Sequence, residues 1–340
     1  MGQQIKVDIS SGGNGDIWMR LVSFYSIVKL LPSLAIHVYV PPFMRSLAQY
    51  TFGDRILFLD DKADAEYIFT SLGLKGMVKG ILAGKKYVAP YHRSVRHDKG
   101  QKTLKDSLNI ALFNIADLFN VVQVPGWKWI EKYQGYLDII GIKKIQKVGY
   151  DQYIAQLKED YSIIFARLND EQMPTSPELV IPADLGANVV VFPTGTSRQF
   201  VPVWWAKKYL PDAYYAFFIK DTDALAFLDN GLKVVYFYKE PGDIIKLSHK
   251  AAWTVTTDSF PSHLLQYATK DCTVTITEVK KSRIISPAYN GKVIDAVAPC
   301  HPCLHLERKK FPTCMAGHTE CINWKSALYT QNVVNSIQNG

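Results

Sequence analysis

Three stretches of the sequence combine residue types that could do group-transfer chemistry. In "SSGGNGDIWMRL" (Ser10 to Leu21), Gly12, Gly13 and Gly15 can bring backbone N–H groups close to a ligand where a strand passes into a helix, and Asp16 adds a carboxylate on the first turn. The stretch lacks both the GxGxxG spacing and the Lys-Ser/Thr of a P-loop. Asp16 reads either as an acidic residue favoured by the helix dipole or as a functional carboxylate at a strand's C-terminal edge. "FPTGTSRQ" (Phe192 to Gln199) offers Thr194, Gly195, Thr196 and Ser197 as hydroxyl and amide donors and Arg198 as a charged fork. That set suits a diphosphate, and a hydroxyl-capped helix start would look similar. "TTDSFPSHLLQYA" places Asp258, Ser259 and His263 where a strand ends and a helix begins.

A fourth constellation is "CHPCLHLERKKFPTCMAGHTEC", residues 300–321, which holds four of the five cysteines. Cys300, Cys303, Cys314 and Cys321 have the paired spacing of a tetrahedral thiolate site for zinc or iron. Disulfides, a redox centre and unligated thiols are the alternatives. The first is weakened because Met1 is followed by polar residues rather than an apolar signal core, and the second needs only one Cys-x-x-Cys. His301, His305 and His318 are spare ligands or surface residues, and Cys272, in an apolar strand, is expected in the core.

The chain has 340 residues, 48% of them hydrophobic and 21% charged, which favours two globular domains over disorder. No apolar run reaches the roughly 18 residues a membrane span needs, and the expected location is the cytoplasm. The net charge of +8 is concentrated: nine Lys/Arg against Asp98 alone lie between Lys75 and Lys105. Such a segment favours a polyanion or an anionic membrane surface, unless it is a solvated helix face or loop. Lys85, Lys86, Arg93 and Arg96 are its candidate ligand-binding residues.

These residues need elements to hold them. "IKVDIS", a helical stretch and "LAIHVYV" form a β–turn–α–β unit, with further strands at "RILFLD" and "AEYIFTS". Residues 103–145 have a mostly helical pattern broken at "VPGW". The proline-rich "LNDEQMPTSPELVIPADLGAN" is the linker candidate. Beyond it "NVVVF", "AYYAFFI", "LKVVYFY", "AAWTVTT" and "CTVTITEV" alternate with helical segments. Two successive β/α halves predict two Rossmann-like domains with parallel sheets, residues 1–172 and 173–325. Residues 326–340 are predicted as a helix returning to the first domain.

In order and spacing these motifs resemble glycosyltransferase family 9, the ADP-heptosyltransferase-like enzymes of GT-B fold. "ISSGGNGDIWMRLVSFYSIVKLLPSLAIHVYV" follows the family's strand, small-residue loop, Gly-Asp, helix and Leu-Pro pattern. Asp258-Ser259-Phe260-Pro261-Ser262-His263 stands where the family has Asp-Thr-Gly-x-x-His, and "FPTGTSRQ" resembles its phosphate loop. The sequence departs at Phe260, which replaces the motif glycine, and in lacking the lysine after the phosphate loop, for which Arg198 substitutes. Residues 60–180 resemble the family only in general layout.

The resemblance implies α/β architecture with two facing Rossmann-like domains, and inverting transfer of a sugar from a nucleotide-diphosphate donor. Asp16 matches the family's general base. Gly13, Gly15, Thr194, Gly195, Thr196, Ser197, Arg198, Asp258, Ser259 and His263 match its donor and phosphate positions. It implies a structural zinc or iron on the four cysteines and no catalytic metal. The basic segment then serves a phosphate-rich acceptor, a phosphorylated core oligosaccharide by family precedent. A hydroxylated base in DNA is the alternative, because the aromatic and basic run "VPGWKWIEKYQGY" suits nucleic acid; a protein acceptor is third. A reading of another class is a non-catalytic, zinc-containing nucleic-acid-binding protein.

Overall fold

The alternating run after the N-terminus forms β1 (Gln3–Asp8), and the apolar stretch beyond the glycines forms α1 (Asn14–Leu30). β2 (Leu34–Tyr39), α2 (Pro42–Phe52), β3 (Ile56–Phe58) and β4 (Tyr67–Phe69) follow. The computed structural model describes residues 3–10, 12–69, 82, 84, 86–91, 121–125, 148–194, 200–279, 281–301 and 320–338. Two further strands, β5 (Lys86–Tyr91) and β6 (Val121–Pro125), complete an all-parallel sheet in the order β3-β2-β1-β4-β5-β6. Neither was expected. β5 lies within the basic segment, and β6 lies in a stretch whose pattern reads as helical. β5, an interior parallel strand, lacks the alternation that marks a half-buried one, and β6 ends the sheet with β5 as its partner.

α1 is buried around most of its circumference, from Gly15 to Ile27, which explains its lack of a polar face. Trp18 and Tyr25 stack on Phe52 of α2 with ring centroids 5.1 and 5.4 Å away. The long helix α3 (Tyr150–Leu168) begins on the same unit, where Tyr153 donates to Ser23 Oγ at 2.9 Å and Arg55 pairs with the buried Asp160 at 2.9 Å.

The second half repeats the plan. It comprises β7 (Val189–Phe192), α4 (Val203–Tyr209), β8 (Tyr214–Phe218), α5 (Asp223–Leu228), β9 (Lys233–Phe237), α6 (Gly242–Lys250), β10 (Trp253–Thr257), α7 (Phe260–Leu265), β11 (Cys272–Thr275), α8 (Lys281–Ile284) and β12 (Lys292–Ile294). Its strands pair in parallel in the order β12-β11-β10-β7-β8-β9. Every residue of β10 and β11 is buried, as a strand covered on both faces requires. Cys272 sits in this core as expected, and burial pushes its thiol up to about 12.

The chain divides into two units, Met1–Ser162 and Ile163–Gly340, so the division falls inside α3 rather than at 172/173. The end of α3 is tied to the second unit by Asn169, whose side-chain amide donates to Ala268 O at 2.8 Å, and the linker that follows is anchored there too. Asp243 at the start of α6 is fully buried and accepts from Ser176 N at 2.7 Å and Tyr238 N at 2.9 Å. Gly242 is required there, since a Cβ would lie 1.8 Å from the Pro174 carbonyl oxygen.

The last helix, α9 (Ala327–Gln338), builds its buried face into the second unit's core. Tyr329 and Val333 join Trp205 and Trp324 there, Tyr329 OH donates to Ile276 O at 2.9 Å, and Ser336 Oγ meets Thr273 Oγ1 at 2.8 Å. Among the described residues no helix is long and apolar enough to cross a membrane.

Candidate functional site

Both sheets have the strand order 3-2-1-4-5-6 when counted within their unit, so each reverses direction beside its first strand. In open parallel sheets ligands bind at that switch point, outside the strands' C-terminal ends. The three motifs fall at these positions.

In the first unit β1 delivers the chain into the glycine loop. Ser10 N donates to Asp8 Oδ1 at 2.8 Å, closing the strand's end. Gly12 has φ +101°, a conformation L side chains rarely adopt, and it turns the chain into α1. Gly13 is the N-cap, with its N–H donated to Asp16 Oδ2 at 3.3 Å. Gly13's amide therefore orients Asp16, whose side chain is partly exposed, while Gly15 is buried in the first turn. Arg20, one turn beyond Asp16, is buried and donates from Nη1 to Ile9 O at 3.1 Å. Sequence reasoning missed it, although its four-residue spacing from Asp16 was a usable signal.

In the second unit β7 and β10 are neighbours, with Phe192 in register with Thr256. Thr194 and Asp258 each follow such a paired residue by two positions, so the two loops leave the sheet side by side. Pro193 O accepts from Val201 N at 2.8 Å, which closes the mouth of the first loop. Thr194 is partly buried. Gly195, Thr196, Ser197 and Arg198 lie outside the described residues.

The second loop is defined throughout. Ser259 is extended at the N-cap of α7, and Ser262 Oγ bridges the Ser259 N–H at 3.3 Å and its carbonyl at 2.8 Å. His263 Nε2 lies 3.4 Å from Asp258 Oδ1, with both side chains largely buried. His263 Nδ1 is buried and makes no hydrogen bond, as are Thr257 Oγ1 at the end of β10 and Thr277 Oγ1 just beyond β11. Unsatisfied buried polar atoms concentrated at one sheet edge are what a polar ligand would complete. Phe260, in place of the motif glycine, is partly buried at the first position of α7.

Of the acceptor candidates, Lys86 is the first residue of β5, paired with Tyr67 of β4. Lys85, Arg93 and Arg96 lie outside the described residues, as do Cys303, Cys314, His305 and His318. Cys300 and Cys321 are partly buried, and neither is in a disulfide. Burial raises the Cys321 pKa, and the neighbouring charges of Glu278 and Cys300 raise it further, against the lowering effect of its bonds to Asn323. His301 Nε2 is engaged with Val279 O at 2.6 Å, which takes that nitrogen out of any ligand set. Among the described residues no group of three or more His, Cys, Asp or Glu gathers as a metal site would.

Asn323 was also missed by sequence reasoning. It is fully buried, accepts from Val297 N and Ala298 N at 2.8 and 2.9 Å, and donates to Thr277 O and Cys321 Sγ, both at 3.2 Å. One side chain thereby joins the end of β11, the approach to Cys300 and the position of Cys321.

Neither family models nor curated proteins match the sequence. Solved structures do. A family 9 glycosyltransferase from Veillonella parvula DSM 2008 superimposes with a TM-score of 0.53 at 10% identity, over 99% of this chain and 98% of that one. E. coli ADP-heptose lps heptosyltransferase II gives 0.48 at 11% identity, covering 98% of each chain. E. coli heptosyltransferase WaaC with ADP gives 0.49 at 12% identity, over 86% of this chain and 93% of that one. At these identities the likeness is one of fold, carried by the Veillonella structure: two Rossmann-like units with parallel sheets, as in GT-B proteins.

Proposed function

We propose that the chain is an inverting glycosyltransferase that moves a sugar from a nucleotide diphosphate to a hydroxyl of a phosphate-rich acceptor. The observation that carries this reading is placement. Asp16 follows the first strand of one unit, while Thr194 and the Asp258–His263 pair follow two adjacent strands of the other, each at a switch point. In this reading Asp16 takes the proton of the acceptor hydroxyl as its oxygen attacks the anomeric carbon from the face opposite the diphosphate. The bond from that carbon to the phosphate oxygen breaks, and the electron pair leaves with the nucleoside diphosphate.

The leaving diphosphate needs fixed donors. The loop after β7, Ser259 and His263 fill that role. With Nε2 turned to the Asp258 carboxylate, His263 presents its Nδ1, which has no hydrogen-bond partner among the described residues, to the diphosphate. The basic segment Lys75–Lys105 supports a polyanionic acceptor.

A structural zinc or iron on Cys300, Cys303, Cys314 and Cys321 belongs to the same reading. Neither Cys300 nor Cys321 is in a disulfide, and the N–H donated to Cys321 Sγ is of the kind that orients metal-bound thiolates, so these residues fit such an ion. Four sulfur ligands would fill a tetrahedral site, which makes the ion a clip on the second unit.

The test is nucleoside diphosphate release from a panel of nucleotide sugars, with phosphorylated glycan and hydroxylated DNA as acceptors. Asp16→Asn is expected to lower turnover about 10²–10⁴-fold, the usual contribution of a general base. Undiminished turnover in that variant would exclude Asp16 as the base, and release with DNA alone would replace the glycan acceptor. Metal analysis of the purified chain and of Cys321→Ser tests the clip, which predicts zinc or iron in the first and its loss in the second.

A further inference from the structure

Gly12, Asp16 and Arg20 are spaced by four residues, and the fold converts that spacing into a layered contact. A Cβ built on Gly12 would lie 3.4 Å from Arg20 Nη2 and 3.4 Å from Asp16 Oδ2. The guanidinium and the carboxylate therefore flank the same glycine, one turn apart on α1, as side chains four residues apart do. Arg20 is 9% exposed, and its other terminal nitrogen is fixed to the carbonyl of Ile9, the residue that follows β1. A long cationic side chain is costly to bury unless its donors are used. Here the bond to Ile9 offsets part of that cost and fixes the direction of the planar head.

We propose that Arg20 is the positioning residue of Asp16: anchored on Ile9 O, its guanidinium faces the carboxylate across Gly12 and holds it oriented and ionised. This rests on the glycosyltransferase reading only where Asp16 is taken as the base. The Gly13 N–H holds Asp16 Oδ2 from the loop side while the Arg20 charge acts from the helix side. A carboxylate so held enters the reaction as the proton acceptor without first reorganising. Gly12 is part of the device, because its φ of +101° is a conformation L side chains rarely adopt.

Other charges near α1 are engaged elsewhere. Asp8 accepts from Ser10 N, Lys29 pairs with Glu159, Arg45 with Asp60 and Arg55 with Asp160. On the strands below, Lys6 of β1 acts on His37 of β2, whose pKa is lowered by burial first and by that lysine second. Asp8 is the nearest like charge along the chain.

The experiment is a carboxyl-carbon NMR titration of protein labelled with 13C-aspartate, with the Asp16 signal assigned by its absence in Asp16→Asn. In the unmodified chain the midpoint is expected below about 3.9, the ordinary aspartate value. Arg20→Met should raise it by about one pH unit or more, since an opposite charge at such range shifts a carboxylate by roughly that much. Arg20→Lys, which keeps the charge, should restore most of the difference.

A midpoint at or above the ordinary value in the unmodified chain overturns the proposal, and that arm does not depend on any variant folding. An unmoved midpoint in folded Arg20→Met overturns it as well. Full turnover of Asp16→Asn, by contrast, removes the base role and leaves the titration result standing, so the two failures are distinguishable.

Discussion

Asn323 offers the sharpest test of how the second unit holds its cysteine-bearing segment. Its four hydrogen bonds fall on three separate pieces of chain, and the side chain has no exposed surface. Asn323→Ala removes an acceptor from two backbone amides, one of them buried, and a donor from a carbonyl and a sulfur. Each lost bond contributes a net ~0.5–1.5 kcal/mol, and each buried group left unsatisfied costs ~1–3 kcal/mol. With partial relaxation the sum is about 3 kcal/mol. For a unit of this size that corresponds to a fall in Tm of about 6–12 °C.

Trp324, buried next in sequence and 4.9 Å from Trp205, reports the transition directly by fluorescence in a urea titration. Asn323→Asp separates the two sides of the residue. The introduced carboxylate keeps both amide acceptors but turns an oxygen toward Thr277 O and Cys321 Sγ, which favours its protonated form. Its folded pKa is then raised above the unfolded value, so the variant's deficit against the unmodified chain narrows as pH falls, whereas the deficit of Asn323→Ala stays constant. A loss below about 0.5 kcal/mol in Asn323→Ala at an unchanged m-value, or a deficit in Asn323→Asp that widens with acid, would refute the reasoning.

Two further outcomes concern stability of the same unit. Gly242→Ala should destabilise by about 2 kcal/mol or more in chemical denaturation, because the new methyl would lie 1.8 Å from a backbone oxygen rather than a movable side chain. His249 is held neutral: burial lowers its pKa below the ordinary 6.5, against the raising effect of the bond its Nε2 makes to Ala268 O at 3.0 Å. A group depressed in the folded state contributes stability above its unfolded pKa that is lost as pH falls through the folded value. His249→Gln should therefore flatten the dependence of stability on pH below 6.5, which equilibrium unfolding at stepped pH measures.

Several features of this molecule were legible from residue order alone. The "IKVDIS" and "AAWTVTT" strands, the helices between them and the small-residue loops at their ends follow from local periodicity and turn chemistry, which act over a few residues. That is why the two β/α halves and the positions of Asp16, Thr194, Asp258 and His263 on strand ends could be read before any coordinates. β5 and β6 could not: β5 is an interior parallel strand, defined by its neighbours on both sides, and β6, at the sheet's end, is defined by its pairing with β5.

The same limit applies to single side chains. Arg20 looks like a solvated charge until Ile9 O and Gly12 are brought beside it, and Asn323 like a surface amide until Val297, Thr277 and Cys321 converge on it. The last helix shows an amphipathic pattern that any apolar face would satisfy. Only packing selected the second unit's core, by matching Tyr329 to Ile276 O and Ser336 to Thr273. Sequence by itself determined where the chemistry-bearing residues sit along the chain, since short-range sterics and hydrogen bonding set strands, loops and helix starts. Tertiary structure alone decided which distant groups complete them, since that depends on contacts between segments far apart in sequence.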